Sequence, residues 1–142
     1  MSGMFYGVEL TSLSLPDSFN TKNVEDMSWM FAHAYRLTEI RFPEGGFDTS
    51  SVIDMSNMFW SVSSMTELVL PESFSAASAE NMAGMFGGMN SLRYLYLPSI
   101  FVIGEHVTTN SIFDDWISSE AILNNNADDS VKAIWPGQIA AE

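Results

Sequence analysis

Two histidines, His33 and His106, are the only imidazoles in the chain. Acid–base or nucleophilic catalysis would require one of them beside a carboxylate or hydroxyl in a recognisable arrangement. Neither lies in such a motif. The absence of cysteine removes thiolate nucleophiles, disulfides and thiolate metal sites together, while leaving the compartment open. The many serines fall in turns and caps, where hydroxyls bond local backbone. Gly84, Gly87 and Gly88 belong to a recurring phrase rather than to a phosphate-cradling loop. Asn124 to Asp129 carries oxygen ligands of the type calcium takes, but it lacks the spacing, glycine and closing glutamate of a calcium loop, so a polar turn is expected. No enzymatic activity, cofactor or metal is therefore expected.

Composition narrows the partners. Of 142 residues, 46 % are apolar and 13 % aromatic, enough for a folded core. Eighteen acidic residues against five basic ones give a net charge of -13, a field that repels phosphate backbones and anionic membranes. Nucleic acid is not expected as a partner. Nor is membrane insertion, since no apolar run reaches the roughly 18 residues a span needs. The opening residues lack the basic flank and apolar stretch of a secretion signal, so none is expected within these residues.

The elements that must position any site come from internal repetition. Met27-Ser28-Trp29-Met30-Phe31 recurs as Met55-Ser56-Asn57-Met58-Phe59 and Met82-Ala83-Gly84-Met85-Phe86, and the chain opens on Met1-Ser2-Gly3-Met4-Phe5. These starts differ by 26, 28 and 27 residues. Each phrase is followed by a second, Leu10 to Pro16, Leu37 to Pro43, Met65 to Pro71 and Leu92 to Pro98, and then by a phenylalanine at 19, 47, 74 or 101. The Gly45-Gly46 pair accounts for the extra residue before Phe47.

Val24, Met27, Met30 and Phe31 step by three, three and one, as do their counterparts from Val52 and Ala79, which predicts one face of a short helix. Asp26, Asp54 and Asn81 precede it as acceptors for free amides. The second phrase alternates, with Leu13 and Leu15, Ile40 and Phe42, Leu68 and Leu70, Leu95 and Leu97 inward, which predicts short strands stopped by proline. The methionines are expected to be core, and Trp29 and Trp60 to pack within their repeats. Ser12, Glu39, Glu67 and Tyr94 then form one outward column and Ser14, Arg41, Val69 and Tyr96 the next. Their variety against the uniform inward positions makes these eight the candidate binding residues. Tyr94 and Tyr96 can stack on a sugar or anchor a peptide, or simply be strand residues with good β preference.

The L-x-x-L-x-L-P phrase preceded by segments such as Val52-Ile53-Asp54-Met55-Ser56-Asn57-Met58-Phe59 resembles the leucine-rich-repeat-like units of BspA-type bacterial surface proteins. The resemblance covers residues 1 to about 101. It implies a curved solenoid, exported to the cell surface or secreted as part of a longer parent, and used for adhesion or protein recognition. The expected fold is an α/β repeat, a leucine-rich-repeat-like solenoid with short parallel strands on one face and short helices on the other. Repeats are expected over residues 1–101 (a partial first repeat 1–18, then 19–46, 47–73 and 74–100), with a degenerate last repeat and cap over 102–142. That last repeat departs from the pattern, having Thr109 and Ile112 at the methionine places and a strand reduced to Ile122-Leu123. Trp116, Ile117 and Trp135 are expected to cover the end of the core.

The chain begins in mid-repeat, so it is expected either to be a segment of a longer protein or to self-associate through that open end. A host or neighbouring protein, or a glycan, is the expected partner of the sheet face. The alternative is a structural spacer in a longer surface stalk with no ligand of its own.

Overall fold

A proline at 16, 43, 71 and 98 follows each alternating segment, and a residue with no amide to donate ends a ladder. The strands are accordingly short. The computed structural model describes residues 1–98, 101, 103, 106–112 and 122–125, with strands β1 (Ser12–Ser14), β2 (Glu39–Arg41), β3 (Glu67–Val69), β4 (Tyr94–Leu97) and β5 (Ile122–Asn125). All pairing between them is parallel and in repeat register: Leu13 opposes Ile40, Leu68 opposes Leu95, and Leu95 opposes Leu123. The sheet is not continuous. β1 and β2 form one sheet and β3, β4 and β5 another. Where β2 meets β3, Glu39 and Glu67 occupy equivalent positions, and like charges there disfavour pairing.

The expected helices do not exist: among the described residues there is no helix, and the α/β repeat with a helical face is thereby corrected. The methionine–phenylalanine phrase is instead a run of turns. The amides of Met27, Trp29, Phe31 and His33 donate to the carbonyls of Asp54, Ser56, Met58 and Trp60 in the next repeat at 2.8–3.0 Å. The intervening amides of Met30, Ala32 and Ala34 donate to carbonyls three residues earlier in their own repeat at 3.1–3.3 Å. Alternate peptides thus face the neighbour, which forbids the uniform i→i−4 bonding of an α-helix.

The backbone signature of this arrangement is a residue in the left-handed region every four positions. Gly3, Trp29, Asn57, Gly84 and Ser111 form one column of positive φ, between 55° and 64°. Gly7, His33, Ser61 and Gly88 form the second, between 59° and 67°. A residue with a Cβ gives up roughly 1–2 kcal/mol there, and a single such residue per helix-length segment already breaks the helix. The 3-3-1 spacing of apolar residues arises because the turns, like a helix, bring 27, 30, 31 and 34 to one side.

That side is the core. Eight of the ten methionines are buried, all but Met1 and Met4. Phe5, Phe31, Phe59 and Phe86 stack in a column with centroid separations of 5.5, 5.2 and 5.7 Å and interplanar angles of 10° or less. A second column runs through Phe19, Phe47, Phe74 and Phe101 at 6.4, 6.5 and 6.1 Å. The degenerate repeat continues the pattern: Ile112 is buried, and Met82 and Phe86 donate to Thr108 and Ile112. The cap residues Trp116, Ile117 and Trp135, and the segment 126–129, lie outside the described residues.

Trp29 stacks on His33 of its own repeat, whereas Trp60 reaches beyond its own. Trp60 lies over the next repeat, where a Cβ built on Gly87 would sit 2.2 Å from its Cζ3 and one on Gly84 would sit 3.0 Å from its Cε3. Because Gly87 has no positive φ, an alanine there meets only the steric conflict. Gly87→Ala is expected to cost about 1–3 kcal/mol in urea unfolding. Most of that cost should vanish in a Trp60→Ala background, and an undiminished cost there would show that the ring is not the obstacle.

Asp26, Asp54 and Asn81 accept from the amides two residues on, at 2.8, 2.8 and 3.1 Å, so they cap a turn rather than a helix. The Ser28 hydroxyl, 2.6 Å from Oδ1, is the main reason the Asp26 carboxyl is held below its ordinary range, with burial opposing and the Ser28 amide and N-terminal ammonium assisting. Asp48 is lowered likewise, first by the Ser50 hydroxyl and then by the Ser50 amide, against burial, with Lys22 adding to the lowering. A depressed folded-state pKa contributes stability that is present above the unfolded value and lost as pH falls through the folded one. Asn81 already accepts the same bond without titrating. The Asp26→Asn/Asp48→Asn variant should therefore lose less stability between pH 7 and about pH 3 than the parent, measured by urea midpoints at both values.

Candidate functional site

The strand alternation sends every second side chain away from the core. Leu13, Ile40, Leu68 and Leu95 at the strand centres point inward, while Ser12, Ser14, Glu39, Arg41, Glu67, Val69 and Tyr94 are exposed and Tyr96 is half-buried. Register groups the eight by sheet. Ser12 opposes Glu39 and Ser14 opposes Arg41 on the first, while Glu67 opposes Tyr94 and Val69 opposes Tyr96 on the second. The two foursomes adjoin where β2 and β3 touch, without a ladder between them.

The second foursome is the more apolar. Val69 is 46 % exposed and Tyr94 42 %, and the Tyr94 and Tyr96 rings lie 6.4 Å apart at 23°. Rings held side by side offer a flat apolar surface with phenol hydroxyls at its edge. Arg41, Glu39 and Glu67 flank it with charge.

A separate cluster, absent from the expectations, sits on the turns. Trp29 and His33 occupy successive left-handed positions and stack at 6.3 Å and 14°. Tyr6 of the preceding repeat meets both, at 6.4 Å from the indole and 5.1 Å from the imidazole. Tyr35 closes the other side, its hydroxyl 2.5 Å from His33 Nδ1. Tyr6, Tyr35 and Trp29 are 54, 55 and 38 % exposed. Beside them runs a groove of about 430 Å³ lined by Tyr6, Gly7, Val8, Glu9, His33, Tyr35 and Arg36. The signal was present in the sequence as glycine at the matching places of other repeats, 3 and 84 for Trp29, 7 and 88 for His33. His106 is exposed in a turn of the last repeat.

Residues 1–96 match the family described as Mycoplasma protein of unknown function, DUF285. No curated protein matches. Among solved structures, the chain is similar to a leucine-rich repeat protein from Bacteroides ovatus ATCC 8483, at 16 % identity over 70 % of this chain and 35 % of that one, with a TM-score of 0.30. The chain thus spans about a third of that protein's length, and a likeness at this TM-score carries no argument.

Proposed function

We propose, from the premise that this chain belongs to the family of Mycoplasma proteins of unknown function DUF285, that it is a non-catalytic recognition module of a BspA-like bacterial surface protein. On this reading it binds a host or neighbouring protein through the outward face of its strands, without a cofactor. The observation that carries the reading is the group of exposed Val69 and Tyr94 with half-buried Tyr96 on β3 and β4, bordered by Glu39, Arg41 and Glu67. An aromatic and aliphatic centre with a polar rim is the anatomy of a protein-binding patch, in which a few aromatic residues supply most of the energy.

The inward positions repeat leucine, isoleucine and phenylalanine, while the outward ones run through serine, glutamate, arginine, valine and tyrosine. A core constrains its members to pack, whereas a surface leaves them free to match a ligand. A spacer needs neither apolar centre nor variety on that face.

The test is label-free binding of the full chain against a library of purified host extracellular proteins, repeated with a Val69→Ser/Tyr94→Ser/Tyr96→Ser variant. At least one protein should bind the parent and lose roughly 30-fold or more in affinity with the variant, the loss corresponding to a hot spot of about 2 kcal/mol. Binding that survives the triple substitution would place recognition elsewhere. No binding across the library would favour the spacer.

A further inference from the structure

We propose that the groove beside Tyr6, His33 and Tyr35 is a binding site for a neutral saccharide, separate from the strand face. The argument begins with backbone strain. Left-handed φ is ordinary for glycine and uncommon for a bulky residue, and strain held at a surface points to function. Trp29 and His33 hold φ of 59° and 60° where the preceding repeat has Gly3 and Gly7 and the following one the small Asn57 and Ser61, and they alone do so as a stacked pair of rings among the described residues. The effect of that choice is visible at the next ring. In the third repeat Trp60 lies against Gly84 and Gly87, whereas the corresponding Tyr6 meets Trp29 and His33 and stands 54 % exposed.

The groove's chemistry identifies the ligand class. Tyr6, His33 and Tyr35 supply aromatic faces, which pack against the aliphatic C–H face of a sugar ring. Glu9 and Arg36 line the same groove, one an acceptor and the other a donor. A sugar hydroxyl is both donor and acceptor and can use the two together. A volume of about 430 Å³ is within the span of small-ligand sites.

Other occupants fit less well. An extended peptide would need free backbone groups to add as a strand. The amides of Gly7, Val8, His33 and Tyr35 are already donated to Ala32, Phe5, Trp60 and His33. An organic cation would meet Arg36 in the lining, and an anionic sugar would meet a net charge of -13.

Saturation-transfer NMR on the full chain tests this, with neutral trisaccharides of glucose, galactose, mannose and N-acetylglucosamine as probes at millimolar concentration. At least one should show saturable transfer to its ring C–H protons. His33→Gly places there the residue found at the matching positions 7 and 88, so it should keep the fold, checked by circular dichroism, while weakening the response about tenfold or more. Tyr6→Ala should do the same. No response to any of the four sugars would overturn the proposal, as would a response unchanged in His33→Gly. A response displaced by tetramethylammonium would also overturn it, since the site would then be a cation cage.

Discussion

Phe59→Ala is expected to lower the stability of the chain by about 3–5 kcal/mol, the range for truncating a buried aromatic residue. Phe59 is wholly buried and lies between two rings, Phe31 at 5.2 Å and 10° and Phe86 at 5.7 Å and 5°. Alanine leaves a void in the middle of a column whose upper and lower members belong to different repeats. Stacked repeats derive their stability from neighbour interfaces, so one substitution here weakens two of them. Phe5 is only partly buried and stacks on one ring of that column, Phe31, so Phe5→Ala should cost less. Urea unfolding of the two variants checks the order. Equal costs at Phe5 and Phe59 would mean that the column does not transmit packing from repeat to repeat.

Thr49→Val is expected to cost about 2–3 kcal/mol although it preserves shape, because it strands polar groups. Thr49 is fully buried, and its Oγ1 both donates to the Ser75 carbonyl and accepts from the Ser75 amide, each at 2.7 Å. This one hydroxyl stitches the second full repeat to the third. Thr21 makes the preceding stitch, donating to the Asp48 carbonyl at 2.7 Å. Thr49→Ser keeps both bonds and loses one methyl group, worth about 1 kcal/mol. The serine variant should therefore unfold at higher urea than the valine variant. The reverse order would show that the hydroxyl is dispensable and that the apolar volume matters more.

These two residues were unequally visible beforehand. Phe59 belongs to a phrase repeated in register, and a large apolar residue recurring at one repeat position has nowhere to go but inward. Thr49 has a matching threonine at 21 but alanine at 76, so its column is broken and no period announces it. Its role depends on the carbonyl and amide of Ser75, which are backbone groups present at every residue. Only their placement in space singles them out.

The candidate sites divide the same way. The eight strand residues follow from period two: once Leu13, Ile40, Leu68 and Leu95 are assigned inward, their flanking residues must face out, as they do. The aromatic cluster depends on which way a turn projects its third residue. Trp29 and Asn57 occupy the same repeat position, yet Trp29 stacks on His33 while Asn57 approaches Gly84. No single-repeat pattern separates those outcomes.

By itself the sequence determined the repeat length, the inward residues, the proline-limited strands and their parallel register, because each is a periodicity and stacking preserves periodicity. The tertiary structure decided that the methionine–phenylalanine phrase is turns and not helix. Apolar residues at three, three and one satisfy both geometries, and the choice rests on where alternate amides find their acceptors. In a helix Phe31 would donate within its own segment; here it donates to Met58 of the next repeat, at 2.9 Å. A bond between residues 27 apart is not a property of either segment alone, and it exists only once the repeats have stacked.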